Sequence, residues 1–422
     1  MSGMTSAHHL HHPPAGSPRA LRRLDRRSRP QTASSGVTLA AIAAAAFVLG
    51  TAELVVVGVL DLVAADFHVS VARAGLLVTA YAAGISVGGP VLAALTLRFG
   101  RTAVMRAALA AYLAGNLVAV AATTFEMVLI ARVATGALHG LFIGAAFAVA
   151  ASVVPRERMG RAISAVFGGI AVSAAVGVPL GTLVGQTFGW QATFVAVVAM
   201  GTVAMAAAVG LVPDVAQPGS SGTRAQARHA LAPRVLAILA IGFLLMGGQF
   251  AGLTYLATYL SEITGVSGAM TTIFLLCFGV ANAVGTMFGG READRDAAGT
   301  LVRANVILVA ALAVLSVTDA TPILTAVALA AWGLVGFGLV PSLQHRVVTL
   351  AGPGAELAAA LPASAVTAGI AAGSLAGGWA VGSGGRAPIV LAALICAAAL
   401  PATWAAGRLR SPDQNRAPSP AA

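Results

Sequence analysis

Glu53 stands in the segment GTAELVVVGVL, residues 50–60, where nearly every neighbour is apolar. It is the one acidic residue set well inside an apolar stretch. Asp61, Asp66, Glu126, Glu262 and Asp319 fall at the ends of such stretches, and the others lie in polar connections. A carboxyl kept from water is costly to leave charged, so its natural chemistry is to take up and release a proton. On a helix Ala46, Gly50, Glu53 and Val57 share one stripe, whose small side chains leave room for water or substrate. A protonated glutamate that only ties one helix to the next is the alternative. Arg132 lies about seven residues, hence roughly 10 Å, inside its own apolar stretch. Such an arginine faces a cavity or a partner, unless its side chain snorkels to the interface.

Weaker polar points accompany these two. Tyr81, Asn116 and His139 lie in the first half of the chain, and Gln249, Tyr255, Tyr259 and Asn282 in the second. Aromatic faces and amides of this kind bind small organic molecules, and each serves equally well as an interhelical hydrogen-bond group. No nucleophile–base pair, phosphate loop or metal cluster is present, so an enzyme is not expected and no cofactor is called for. The HHLHH run at 8–12 reads as part of a flexible polar tract, and Cys277 and Cys396 offer neither a disulfide framework nor ligand spacing.

The elements that hold these residues must be membrane helices. The chain is 58% hydrophobic and 9% charged, with a mean hydropathy of +0.89. Soluble domains carry roughly a quarter charged residues, so this chain has too few to cover a globule. About 20 apolar residues cross the hydrocarbon. Twelve stretches qualify, near 38–60, 74–97, 103–122, 126–150, 162–183, 190–211, 235–259, 268–289, 301–317, 322–343, 361–382 and 387–407. The 25 basic residues are all arginine, and all but Arg73, Arg132 and Arg386 fall on one side of this arrangement. The positive-inside rule then places both termini in the cytoplasm. The net charge of +11 is thereby explained without nucleic acid.

Residues 1–36 and 409–422 read as disordered cytoplasmic tails, and the polar run 213–234 separates six spans (37–212) from six (235–408). The halves align at an offset of 197. Val69 and Ser70 then meet Val266 and Ser267, Gly88 meets Gly285, and Arg98 meets Arg295. Duplicated six-span halves are the mark of a transporter with its site between them near the midplane. Glu53 maps onto Phe250, so the second half lacks a matching acid.

Several motifs resemble the major facilitator superfamily, and within it the bacterial twelve-span drug:proton antiporters of the sugar and chloramphenicol exporter branch. The loop LTLRFGRTAVM carries Arg98, Gly100 and Arg101 of the signature G-x-x-x-D-R-x-G-R, with Leu97 at its acidic position. The second-half loop GGREADRD keeps Gly290, Asp294 and Arg295. ARVATGALHG matches R-x-x-x-G through Arg132 and Gly136. FGGIAVSAAVGVPLGTLVGQ resembles the antiporter motif through Gly168, Gly177, Pro179, Gly181 and Gly185, with Val178 inserted before the proline. Glu53 and Asp66 match the first-span signature, and Asp61 takes the place of its proline.

The resemblance implies an all-α fold of twelve spans in two pseudo-symmetric halves. It further implies proton coupling through Glu53 and Arg132, and gating through the loop and glycine motifs, with Asp294 and Arg295 as the better latch. The expected activity is proton-driven export of a small amphiphilic drug or metabolite by a monomer in a bacterial inner membrane. A sugar or nucleoside exporter stands next, then an uptake symporter, then a non-transporting membrane sensor.

Overall fold

The computed structural model describes residues 32–155, 158–215, 228–266, 268–318, 321–359 and 361–409. The expected tails therefore lie mostly outside the described residues, as does the central connection over 216–227. Thr32–Gly36, assigned above to the first tail, already belong to a helix.

Every regular element among the described residues is helical. In chain order the long apolar helices are α1 (Ser35–Asp66), α2 (Val71–Leu95), α3 (Arg101–Val120), α4 (Phe125–Ser152), α5 (Arg161–Phe188), α6 (Trp190–Leu211) and α7 (Pro233–Glu262). Next comes Met270–Val317, followed by α10 (Pro322–Gly354), α11 (Leu361–Val381) and α12 (Ala387–Ala406). Met270–Val317 has 48 residues, about 70 Å of helix, more than twice the hydrocarbon thickness. It breaks at Asp296 (φ −155°, ψ 81°), whose Oδ1 accepts the Gly299 N–H at 2.9 Å. That is an N-cap, so the stretch comprises α8 (270–295) and α9 (297–317). Twelve passes result, and an even number brings both chain ends to one face, the termini end.

The helices outrun the apolar windows because a helix need not stop where the hydrocarbon stops. α1 carries Asp61 and Asp66 within it, and α4 starts at a Thr124 cap whose hydroxyl accepts the Met127 N–H. Large apolar side chains such as Val203, Ile323, Trp379 and Leu394 remain exposed, as lipid-facing surfaces require.

The 197-residue offset is visible in the packing. Gly88 lies against Ala137 where α2 crosses α4, and Gly285 lies against Leu334 where α8 crosses α10. Gly136 meets the Tyr81 carbonyl, and Gly333 meets the Phe278 carbonyl. Both members of each pair are displaced by 197, so the second half repeats the first helix for helix, αn onto αn+6. The absent side chains let the backbones touch, which is how membrane helices bind without a hydrophobic drive between them.

Among the described residues, two irregularities belong to the first half alone. Gly84–Gly88 in α2 and Ser173–Gly177 in α5 form π turns, each followed two residues on by Pro90 or Pro179. A proline ring clashes with the carbonyl four residues back and has no N–H to offer it, so the preceding turn widens. The motif that carries Gly177 and Pro179 therefore contains a π turn. In α7 the helix breaks at Thr254–Tyr255, leaving Leu256–Glu262 as a separate short helix.

The halves meet along two seams, α2 against α11 and α5 against α8, and the end of α1 also touches Leu256–Glu262 of α7. Contact is concentrated away from the termini end, since Met159–Val172 of α5 turns chiefly toward α1 and α4.

Candidate functional site

Glu53 sits near the middle of α1 with its side chain 19% exposed. Its small stripe-mates do not leave space beside it. Ala46 and Val57 are buried, and Gly50 admits the Ser173 hydroxyl and Ile170 backbone of α5. Those residues serve helix packing, and the carboxyl looks the other way, toward α4.

His139 on α4 is the nearest polar partner, with Nδ1 3.7 Å from Glu53 Oε2. The same nitrogen lies 2.8 Å from the Tyr81 hydroxyl of α2, which in turn lies 3.1 Å from the Tyr112 hydroxyl of α3. Asn116, one turn along α3, donates to the Tyr112 carbonyl at 2.8 Å. A chain Glu53–His139–Tyr81–Tyr112 thus crosses four helices. Protonated, His139 Nδ1 is a donor to the carboxylate; bare, it accepts from the tyrosine, so one nitrogen serves both neighbours.

Arg132 is 1% exposed, so it does not snorkel. Its NH1 donates to the Ala52 carbonyl at 3.0 Å, NH2 to the Glu53 carbonyl at 3.3 Å and Nε to the Leu77 carbonyl at 3.5 Å. The guanidinium also lies 3.8 Å from the centre of the Tyr81 ring. Its bonds go to the main chain of α1 and α2, and not to the Glu53 carboxylate. Arginine is suited to this, since a planar fork can take carbonyls and a ring face together. The arrangement pins α1, α2 and α4 around the carboxyl and sets a fixed positive charge near it.

The second half answers with neutral groups. Gln249, the offset partner of Ala52, accepts from Trp332 Nε1 at 3.1 Å and donates to the Gly336 carbonyl at 3.2 Å. Tyr255 donates to the Ser374 carbonyl at 3.1 Å, and Tyr259 to the Leu315 carbonyl at 2.8 Å. Asn282 is buried and is met by Thr286 of the next turn. Of the residues read as substrate contacts, Tyr81, Asn116 and His139 are drawn together around Glu53, while the other four are spread through the second half.

The gating motifs separate as well. Gly136 packs on α2, Gly177 on Thr51 and Gly181 on Val55 of α1. Gly100 caps α3, and the Arg101 N–H reaches the Val215 carbonyl at 3.2 Å. Arg98 is exposed and stacks on Phe99. In the second half Asp294 and Arg295 are both exposed; Arg295 pairs with Glu292 at 2.8 Å. Arg303 approaches Glu292 and Asp296 at 3.7 Å each, so ion pairing in this corner runs through Glu292 and Asp296.

Tyr112 and Trp332 were missed from sequence. Tyr112 precedes Asn116 by one turn on the same face, which was the available signal. Nothing in the sequence marked Trp332 as the partner of Gln249.

Comparison with known proteins follows the same lines. Residues 41–361 match the Major Facilitator Superfamily. The MFS-type transporter YtbD of Bacillus subtilis is 36% identical, over 79% of this chain and 85% of that one. A chloramphenicol resistance protein of Streptomyces lividans is 29% identical, over 85% and 93%. Among solved structures, a bacterial homologue of the human lysosomal transporter Spinster, inward-facing and unoccupied, superposes with a TM-score of 0.75 at 14% identity. It covers 93% of this chain and all of that one.

Proposed function

The chain belongs to the major facilitator superfamily, and from that premise we propose that it is a proton-driven exporter of small amphiphilic molecules. It is a multi-pass membrane transporter rather than an enzyme. The proton coupling rests on one observation: Glu53, a carboxyl near the middle of α1, faces His139 Nδ1, itself bonded to Tyr81.

In the cycle we propose, a proton arriving from outside loads Glu53 and substrate leaves outward. The halves then rock, and the proton leaves to the cytoplasm while new substrate enters. His139 takes or returns the proton at Nδ1, with Tyr81 closing the far side of that nitrogen. Arg132 keeps the carbonyl frame fixed and supplies the charge that favours proton release. The arginine distribution supports both termini in the cytoplasm, and a relative named as an inner membrane transport protein of Escherichia coli supports a bacterial inner membrane. The relative named for chloramphenicol resistance supports an uncharged amphiphile as substrate. The protein acts as a monomer.

Proteoliposomes with a pH-sensitive dye inside test this. Chloramphenicol, and then a panel of amphiphilic drugs, is expected to drive proton movement. Glu53→Gln is expected to abolish it while the protein elutes and melts as the parent does. Undiminished coupling in Glu53→Gln would overturn the assignment.

A further inference from the structure

At the end of the bundle away from the termini, Asp61 of α1 meets α7 across the boundary between the halves. The Thr258 hydroxyl donates to Asp61 Oδ1 at 3.0 Å. The two positions are separated by 197 residues, the offset that relates one half to the other. Positions related by a two-fold rotation lie at equal distances on opposite sides of its axis. They touch only where that axis passes between them, so this hydrogen bond stands on the pseudo-symmetry axis of the molecule.

We propose that the Asp61–Thr258 bond is the axial lock that holds the far end of the transporter shut. When the halves swing apart there, axis-related residues separate by twice the displacement of either half. A bond already at 3.0 Å is lost once the gap grows by about half an ångström, which carries it past the hydrogen-bond limit. No off-axis contact reports the motion so directly.

The neighbouring structure fits this role. Thr258 lies on the short helix Leu256–Glu262, just past the break in α7, so it sits on a piece that can tilt without bending the rest of α7. Asp61 stands two turns, about 12 Å, from Glu53 on the same helix, so the lock and the proton-binding carboxyl move as one body. A second tie surrounds the axis: the Ser374 hydroxyl of α11 donates to the Gly75 carbonyl of α2 at 3.2 Å. Asp61 takes the place of the proline in the first-span signature, and proline has no side-chain acceptor. The lock depends on transporter membership and not on the role of Glu53, so an unaffected Glu53→Gln variant would leave it standing.

The test is a pulsed electron–electron distance measurement on the full-length protein in nanodiscs. Spin labels go on cysteines introduced at Thr123 and Ser383, which are exposed at the far end of opposite halves, in a Cys277→Ser background. The parent is expected to give mostly the short distance. Thr258→Val, which removes only the hydroxyl, and Asp61→Ala are each expected to raise the far-end-open to closed ratio about tenfold. Asp61→Asn keeps an acceptor oxygen and is expected to stay near the parent. Adding Asp61→Ala to Thr258→Val is expected to change nothing more. An unchanged distribution in Thr258→Val, or additive effects in the double variant, would overturn the proposal. A disulfide between Asp61→Cys and Thr258→Cys that fails to block transport would also overturn it.

Discussion

The two six-helix halves share their helix order and their close-packed crossings, yet they fill equivalent places with different chemistry. Where α1, α2, α3 and α4 meet, the first half holds a carboxyl, an imidazole, two phenols and a guanidinium within one connected set. Where α7 and α10 meet, the second half holds an amide and an indole that satisfy each other. The first arrangement has groups whose protonation can change; the second has none. Duplication supplied the frame twice, and titratable chemistry was placed in one copy. The backbone shows the same division, since both π turns lie in the first half and the broken α7 lies in the second.

The comparison can be broken at four points. The largest effect is expected for Glu53→Gln, a complete loss of substrate-driven proton flux, whereas Gln249→Leu should leave flux per folded molecule within twofold. If Gln249→Leu uncouples transport instead, the halves are not chemically divided in the way described. Next, Gly285→Ala should cost about 3 kcal/mol in a detergent unfolding assay, because its methyl would meet the Leu334 carbonyl of the backbone. Gly88→Ala should cost less, since its methyl would press first on the Ala137 methyl and less closely on the Ala137 Cα. A smaller loss of about 2 kcal/mol is expected for Gln249→Leu, which leaves Trp332 Nε1 without its acceptor. Last, Tyr81→Phe should lower stability by only about 1 kcal/mol while slowing proton release several-fold, read as the dye signal at saturating substrate. Equal slowing by Tyr259→Phe, whose hydroxyl donates to the Leu315 carbonyl, would show that phenols in either half matter alike.

Much of this fold can be read from the chain because crossing a bilayer is a problem of length and polarity. Twelve apolar stretches give twelve passes, and a duplicated glycine spacing gives the repeat that Gly88 and Gly285 display in three dimensions. Glu53 and Arg132 stand out because charge in an apolar stretch is costly wherever the helix faces. The contacts of Arg132 did not stand out. Spacing tells which residues share a face of one helix, but not which faces of two helices meet. So the Ala52 and Glu53 carbonyls, Tyr112 and Trp332 become visible only once the helices are assembled. The same gap explains Gly50 and Val57, whose small size suited a cavity as well as the helix contact they make.

The π turn in α2 makes one helix serve two sets of neighbours. Each such turn inserts a residue into the count, which rotates everything beyond it by about 100° relative to an unbroken helix. Val71–Ala83 packs on both α11 and α4, whereas Gly89–Leu95, past the turn, packs on α4. Removing one residue from 84–88 would straighten the count and swing Pro90–Leu95 off its partner, though every remaining side chain is kept. Apart from Gly84 and Gly88, where an added side chain would strike α4, the chain therefore tolerates exchange of side chains in this stretch far better than a change in its length.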